Sequence, residues 1–388
     1  MRFMVVNRAA RAEIFGQSYD LKPLSPRQFE AKNILVSDSG SAGELLQRHS
    51  SVLLEASFDT SALPAFPRTP KAIDRITAGS KVLILRAGGV GDLVMMLPAL
   101  KTLKHSLPND AEVWFATQKE KHPVFHMNPG IDKLLPLPLT LDQLIEADFL
   151  FDFSYNIDNR DFNSMNMTDY YLKCFGLDEK SCHDKSPLIP PNPSNGYRLR
   201  KVINKLKKAS PHKALIVLQC HSSNPLRNLP PGMFFQLAEY FPDVRFVSAT
   251  HFSEELPGDH ADPLLHKNIK DISADIRSLE DYITLFEVCD GVVSTDTAAY
   301  HLAEAFGKPS LTIFGPISSD LRIRYYRKAL AIDASYEGKT CSAPCGLHKT
   351  KEGCPDSLSR GIGYSPCLLS VEPQTIKSAF KQMLDQFM

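Results

Sequence analysis

Residues 81–100 read Lys81-Val82-Leu83-Ile84-Leu85-Arg86-Ala87-Gly88-Gly89-Val90-Gly91-Asp92-Leu93-Val94-Met95-Met96-Leu97-Pro98-Ala99-Leu100. Val82 to Leu85 is a short unbroken apolar run, the pattern of a strand buried on both faces of a parallel sheet. Glycines follow it, where the chain must turn tightly or approach a ligand with its backbone. From Leu93 to His105 the apolar residues recur at helical spacing. Strand, glycine turn and helix in that order form the opening of an α/β unit.

The same alternation continues on either side of a break. Glu112–Ala116, Leu134–Leu137 and Asp148–Phe153 are further strand candidates. Pro187 to Pro193 is too rich in proline for a regular element and marks a divide. Beyond it, after a basic helical stretch, strands are expected at Ala214–Leu218, Val244–Ser248, Gly291–Ser294 and Ser310–Phe314. Helices are expected at Met233–Tyr240, Leu279–Cys289, Ala298–Phe306 and Pro373–Phe387. Two doubly wound units imply a cleft between them, with ligands at the carboxyl ends of the strands. Before Lys81 the pattern differs: short alternating patches at Asn33–Val36 and Ser51–Leu54 suggest a β-rich appendage, and Leu63–Pro70 reads as a linker. The expected division is therefore 1–78, 79–195 and 196–388.

Composition sets the outer bounds. The chain of 388 residues is 43% hydrophobic and 23% charged, as in a globular protein of two or three domains. Lys+Arg and Asp+Glu both number 44, so no net field draws the whole molecule to nucleic acid or an anionic membrane. A local basic stretch, Arg198 to Lys208, leaves room for an anionic acceptor on one face. No apolar run is long enough to span a bilayer. The opening MRFMVVNRAARAEIFG puts charges where a signal peptide needs an apolar core, so the cytoplasm is the expected compartment, with the inner-membrane surface as a peripheral location.

Three segments carry chemistry. Asp92 stands at the start of the helix after Gly89 and Gly91, in a spacing that fits neither the dinucleotide fingerprint nor a Walker loop. An aspartate there either caps the helix or faces a substrate, and local chemistry leaves the two even. The second segment is Ser294-Thr295-Asp296-Thr297-Ala298-Ala299-Tyr300-His301, in which a buried strand turns straight into a helix. The amides and the positive end of the helix dipole suit a diphosphate. The plainer reading is a cap at Asp296 or Thr297 with His301 packed in the core. Phe314-Gly315-Pro316 adds a tight turn after the next strand. The third segment is the polar loop Gln219 to Pro230, in which Arg227 can pair with a phosphate, although most surface arginines bind nothing.

In this order the three segments resemble glycosyltransferase family 9, the heptosyltransferases and their relatives, from about Lys81 to the end of the chain. The resemblance implies a GT-B fold of two Rossmann-like lobes, with a nucleotide-diphosphate sugar, ADP-linked, held mainly by the second. It implies that Asp92 is the general base in an inverting transfer and that Arg227 offsets charge on the leaving diphosphate. Gly89, Gly91, Asp296, Thr297, Ala298, Ala299 and His301 would then contact the donor, with no obligatory divalent metal in catalysis. Two departures weaken heptose as the particular sugar: Ala298 stands where the family has glycine, and Gln219-Cys220-His221-Ser222 replaces its usual H-P-G-A loop. The acceptor stays open between a glycan, a protein side chain and a nucleic-acid base. The segment before residue 79 is the candidate for acceptor recognition or homo-oligomer contacts.

Four of eight cysteines lie together: Cys341, Cys345, Cys354 and Cys367, spaced C-x3-C-x8-C-x12-C. Four thiolates suit a tetrahedral zinc or iron site, and a site with four protein ligands has a structural role. Two local disulfides or free thiols are the alternatives. Some family 9 members have a similar stretch, and an iron-bound four-cysteine finger is a feature of autotransporter heptosyltransferases; here the first gap is three residues and not two. From a different class, the chain could be a catalytically silent sugar-nucleotide-binding scaffold, which would have no need of Asp92. An epimerase or dehydrogenase is disfavoured because neither lobe has a glycine fingerprint with a ribose-binding acid.

Overall fold

A computed structural model of the chain describes residues 1–6, 10–14, 17–23, 30–57, 66–70, 73–154, 160–208, 213–250, 267–347 and 354–388. They fall into two compact units, Met1–Asp184 and Lys185–Met388. The divide lies before the proline-rich segment and not after residue 195. The reason is local: Ile189 donates its N–H to Ala305 O (3.1 Å) and Asn192 to Glu287 Oε2 (3.2 Å), so the segment is packed into the second unit. Among the described residues no helix is long and apolar enough to cross a membrane.

The first unit opens with β1 (Arg2–Val6), a hairpin of β2 (Ala10–Ile14) and β3 (Gln17–Leu21), β4 (Leu35–Ser37), α1 (Ser39–Arg48) and β5 (Leu53–Ala56). The α/β pattern then begins with β6 (Lys81–Leu85), α2 (Val90–Ser106), β7 (Glu112–Gln118) and β8 (Lys133–Leu137). It ends with β9 (Leu139–Thr140), α3 (Leu141–Ile145), β10 (Phe149–Asp152) and α4 (Met167–Cys174). β6, β7, β8 and β10 form a parallel sheet in the order β10-β6-β7-β8. On one of its faces Phe151 packs edge-on against Phe175, just past the end of α4.

The other face carries Leu83, Leu85, Trp114, Ala116, Leu135 and Leu137, and it is covered by the N-terminal residues. Ile34 and Val36 join that core, with Phe3 and Val5 of β1 packed at its edge. β4 also pairs with β9, so the sheet β5-β1-β4-β9 is shared between the N-terminal segment and the lobe. Met4, Val6, Leu35, Ala42, Leu45 and Leu53 form a second core on the far side, under α1. The segment expected to be an appendage is therefore a layer of the first unit. Of the expected linker, residues 63–65 lie outside the described residues. The rest is docked: Arg68 takes Leu150 N–H on its carbonyl (3.0 Å) and donates to Asp148 O (3.1 Å).

The second unit runs α5 (Tyr197–Lys208), β11 (Ala214–Gln219), α6 (Pro231–Tyr240), β12 (Val244–Ser248), β13 (Ile269–Asp271) and α7 (Leu279–Val288). It continues with β14 (Gly291–Thr295), α8 (Ala298–Ala305), β15 (Ser310–Phe314), α9 (Asp320–Ile323) and β16 (Ala329–Asp333). Two single-turn helices, α10 (Pro355–Leu358) and α11 (Pro366–Leu369), precede the terminal α12 (Pro373–Phe387). All six strands are parallel, in the order β13-β12-β11-β14-β15-β16. That is the doubly wound order, whose direction reverses between β11 and β14; ligands of such sheets bind at the reversal. In the first unit the reversal falls between β6 and β10.

Candidate functional site

In the first unit the turn after β6 lies at the sheet's reversal point. Gly89 is the N-cap of α2 and, having no side chain, makes no capping bond. Asp92 sits inside the first turn, so its carboxylate is not spent on the cap, and the capping alternative falls away. Arg86, at the end of β6, donates from Nη2 to Asp92 Oδ2 (3.2 Å) and from Nη1 to Phe153 O (3.1 Å) beyond the neighbouring strand β10. The Arg86 side chain is 8% exposed and that of Asp92 is 31% exposed. A buried cation thus holds a carboxylate whose outer side reaches solvent. Burial works against the Arg86 charge, and Tyr171 and Asp92 beside it outweigh that effect, so its pKa is raised. A Cβ at Gly88 would lie 3.0 Å from the Arg86 guanidinium, so glycine there makes room for the arginine. Gly89 is exposed and Gly91 half-exposed.

In the second unit, Arg227 and the turn from Thr295 to Ala298 flank the β11–β14 reversal. Arg227 Nη1 donates to Asp296 Oδ2 (3.2 Å) and Nη2 to Ser223 Oγ (3.2 Å), while Thr295 Oγ1 donates to the Arg227 carbonyl. Asp296 is buried, and its other oxygen accepts from the Tyr300 hydroxyl (2.8 Å). Burial alone would raise its pKa; Arg227, Arg322 and the Tyr300 bond more than reverse that and hold the carboxyl below its ordinary value. Thr297, not Asp296, caps α8, its Oγ1 accepting from Ala299 N–H (3.1 Å). Thr297 and Ala298 are half-exposed, whereas Ala299 is buried. His301 is drawn into the core, stacked on Tyr300 with ring centroids 3.9 Å apart and bonded through Nδ1 to the Tyr326 hydroxyl. Its buried, aromatic setting matches the plainer of the two expectations for this residue.

Two arginines matter here that the sequence reading assigned no role. Arg86 lies inside the quoted motif, and its only signal is a charge ending an apolar strand. Arg322, on α9 after the Phe314-Gly315-Pro316 turn, is buried and close enough to Asp296 to stabilise its charge. Nothing in the linear order links it to Asp296.

The four clustered cysteines are all free thiols. Burial pushes Cys367 up to about 12, and Cys345, Cys354 and Cys341 add to the effect. Cys341 is likewise raised, by burial and by Cys354 beside it. The thiols are thus neighbours. Even so, among the described residues no group of three or more His, Cys, Asp or Glu is arranged to hold a metal ion. Residues 348–353, inside the loop, lie outside the described residues. The loop abuts the second unit's functional turns. Gly346 N–H donates to Pro316 O (2.8 Å), and Ser365, the cap residue of α11, donates from Oγ to Leu226 O (2.7 Å). A Cβ at Gly315 would meet Cys367 Sγ at 2.9 Å, so the glycine allows that approach.

Two Rossmann-like lobes, each with a charged turn at its sheet's reversal point, make this a protein of the GT-B class. Its fold is that of a family 9 glycosyltransferase from Veillonella parvula, at a TM-score of 0.56 and 13% identity, covering 80% of this chain and 98% of that one. Escherichia coli ADP-heptose lipopolysaccharide heptosyltransferase II gives 0.52 and 15%, over 79% and 99% of the two chains. The iron-containing dodecameric glycosyltransferase TibC of enterotoxigenic E. coli gives 0.53 and 10%, over 100% of this chain and 92% of its own. In sequence, residues 244–350 match the model of glycosyltransferase family 9 (heptosyltransferase). Lipopolysaccharide heptosyltransferase 2 of Salmonella typhimurium is 23% identical over 108 residues, 28% of this chain and only 27% of that relative's length. Residues 244–350 are thus similar in sequence to glycosyltransferase family 9, and the fold as a whole is that of its solved members.

Proposed function

We propose that the protein is an inverting glycosyltransferase that moves heptose, or a related sugar, from an ADP-linked donor to an acceptor hydroxyl. The observation that carries this is the half-exposed Asp92 carboxylate, freed from capping and gripped by the buried Arg86. In the reaction Asp92 takes the proton of the acceptor hydroxyl as that oxygen attacks the anomeric carbon. The bond from that carbon to the diphosphate oxygen breaks with its electron pair, and the nucleoside diphosphate leaves. Displacement from the opposite face inverts the carbon. Arg227, oriented by Asp296, and the amides at Thr297 and Ala298 are proposed to hold the diphosphate and absorb its growing charge. The donor choice is supported by the similar TibC, solved in complex with ADP-D-beta-D-heptose.

Cys341, Cys345, Cys354 and Cys367 are proposed to hold a structural zinc or iron. The thiols supply the right donor chemistry and lie close enough to raise one another's pKa, although the described geometry gathers no three of them into a formed site. Such an ion would fold the loop against Pro316 and Leu226 and supply no reacting group. TibC is iron-containing and dodecameric; by analogy, iron and a homo-oligomer are the first choices to examine here. The protein is proposed to act in the cytoplasm, at the inner-membrane surface when its acceptor is a lipid-linked glycan.

The test is Asp92→Asn, assayed for ADP release from ADP-heptose and for donor binding by calorimetry. Loss of turnover by a thousandfold or more with donor affinity within threefold supports the base. A variant that turns over at the normal rate removes Asp92 from the mechanism and leaves the silent-scaffold reading in its place.

A further inference from the structure

We infer that Lys121 is a positioning residue: it clamps the turn that presents Asp92, and the N-terminal helix α1 sets that clamp through Asp38 and Ser41. The inference rests on the Asp92 assignment for its catalytic meaning, but its geometry belongs to the first unit alone.

The start of α2 lacks a side-chain cap, because Gly89 has none to offer. A functional carboxylate one turn into an uncapped helix needs its backbone held from elsewhere, since the first turn of a helix is where unpaired amides fray. Arg86 grips the Asp92 side chain. The turn's backbone is gripped by Lys121, whose Nζ donates to Gly88 O. Lys121 belongs to the 3-10 turn Lys119–Phe125 that follows β7, at the same edge of the sheet. It is half-buried, and withdrawal from solvent lowers its pKa. An ammonium is placed in such a setting at a cost, which its neighbours offset: Glu120, Asp38 and Asp92 all favour its charge, and Arg86 opposes it.

Of those neighbours, Asp38 comes from the N-terminal segment. It is buried and fixed, with Oδ1 accepting from Gly40 N–H (3.0 Å) and Ser41 N–H (3.1 Å) to cap α1. A second tie runs alongside, from Gln118 Nε2 to Ser41 Oγ (2.9 Å). Helix α1 is thereby connected both to the end of β7 and to the ammonium that holds Gly88. The described part of the N-terminal segment, besides covering the sheet, adjusts the seat of the carboxylate.

Hydrogen exchange read by mass spectrometry tests the clamp without any substrate. In Lys121→Met the amides of residues 86–94 should exchange at least threefold faster, and Asp38→Asn should give a smaller increase in the same peptides. Lys121→Arg, which keeps a donor and a charge, should restore protection. A second arm measures ADP release from ADP-heptose. The charged and titratable groups around Asp92 and Lys121 are Arg86 just past β6, Glu120 after β7, Asp38 before α1 and the neutral Tyr171 hydroxyl on α4. Losing the Lys121 cation should lower kcat about tenfold and leave the donor KM within twofold. Lys121→Arg should restore kcat with KM unchanged, a split that a general loss of fold would not give. Unchanged exchange at 86–94 in Lys121→Met overturns the inference whatever the activity. If Asp92→Asn remains active while exchange rises as expected, the clamp stands and the base assignment falls.

Discussion

Asp296→Asn should destabilise the second unit more than any surface change, because it removes the charge that the buried Arg322 and the half-buried Arg227 share. The Arg227 and Asp296 side chains are 18% and 6% exposed and meet at 3.2 Å. At an effective dielectric near 20 that separation corresponds to roughly 5 kcal/mol of attraction, an upper bound before desolvation is counted. Removing one partner of such a pair costs about 3–5 kcal/mol, since the other charge stays buried and uncompensated. Asn keeps one oxygen to accept from Tyr300 or Arg227, which puts the expected loss near the lower end, at about 3 kcal/mol. For a unit of about 200 residues this lowers Tm by roughly 6–12 °C. Far-UV circular dichroism follows the transition, and the single tryptophan, Trp114, provides an internal control because it is buried in the first unit. A shift seen by dichroism and absent from Trp114 fluorescence locates the loss in the second unit. The double variant Arg227→Met/Asp296→Asn should lose less than the two single losses added together, by about 1.5–3 kcal/mol. A Tm within 2 °C of the parent for Asp296→Asn, or strict additivity in the cycle, refutes the reasoning.

Stability should also fall as the pH drops from 7 to 5. Burial lowers the pKa of His122 and His221 below 6.5; the unfolded chain therefore takes up protons below 6.5 that the folded one resists, and stability declines until the folded values are passed. Urea midpoints at pH 7 and 5 check this, and replacing both histidines by Asn should flatten the difference. For the cysteine loop, elemental analysis of the purified protein should find one zinc or iron per chain. Cys341→Ser/Cys345→Ser should lose it along with the heat stability of the second unit; intact stability without stoichiometric metal would point to plain thiols.

How much of this was legible in advance depended on burial. β6, β11, β12, β14 and β15 are covered on both faces, so each appears in the sequence as an apolar run and each was expected within a residue or two. The edge strands of the second sheet were not: β13 has three residues with one buried, and β16 has one buried residue in five. A strand paired on one side and half-exposed leaves no pattern to read. The chemistry was divided in the same way. Asp92, Arg227 and the Thr297 turn were marked by glycines, prolines and a strand-to-helix junction. Arg86 and Arg322 act by packing against carboxylates, a relation that only the folded chain displays.

The N-terminal segment shows how a region without motifs can still be part of the fold. Its strands were half visible: Asn33–Val36 and Ser51–Leu54 fall close to β4 and β5, each about two residues early, while β1 and the hairpin went unread. What no local pattern could reveal is the surface those strands must cover. A parallel sheet exposes apolar side chains on both faces and is stable only when both are covered, ordinarily by crossover helices. In the first unit one face packs near the end of α4, while Leu83, Leu85, Trp114 and Leu135 on the other need a second layer. The short α3 supplies only part of it, and Ile34, Val36 and the edge of β1 supply the rest. Once the segment lies there, its helix α1 comes to the carboxyl end of β7, where Ser41 bonds Gln118 and the charge of Asp38 favours that of Lys121. A layer recruited to cover a sheet has thereby become a neighbour of the turn that carries Asp92, and this proximity follows from packing without any motif in the segment itself.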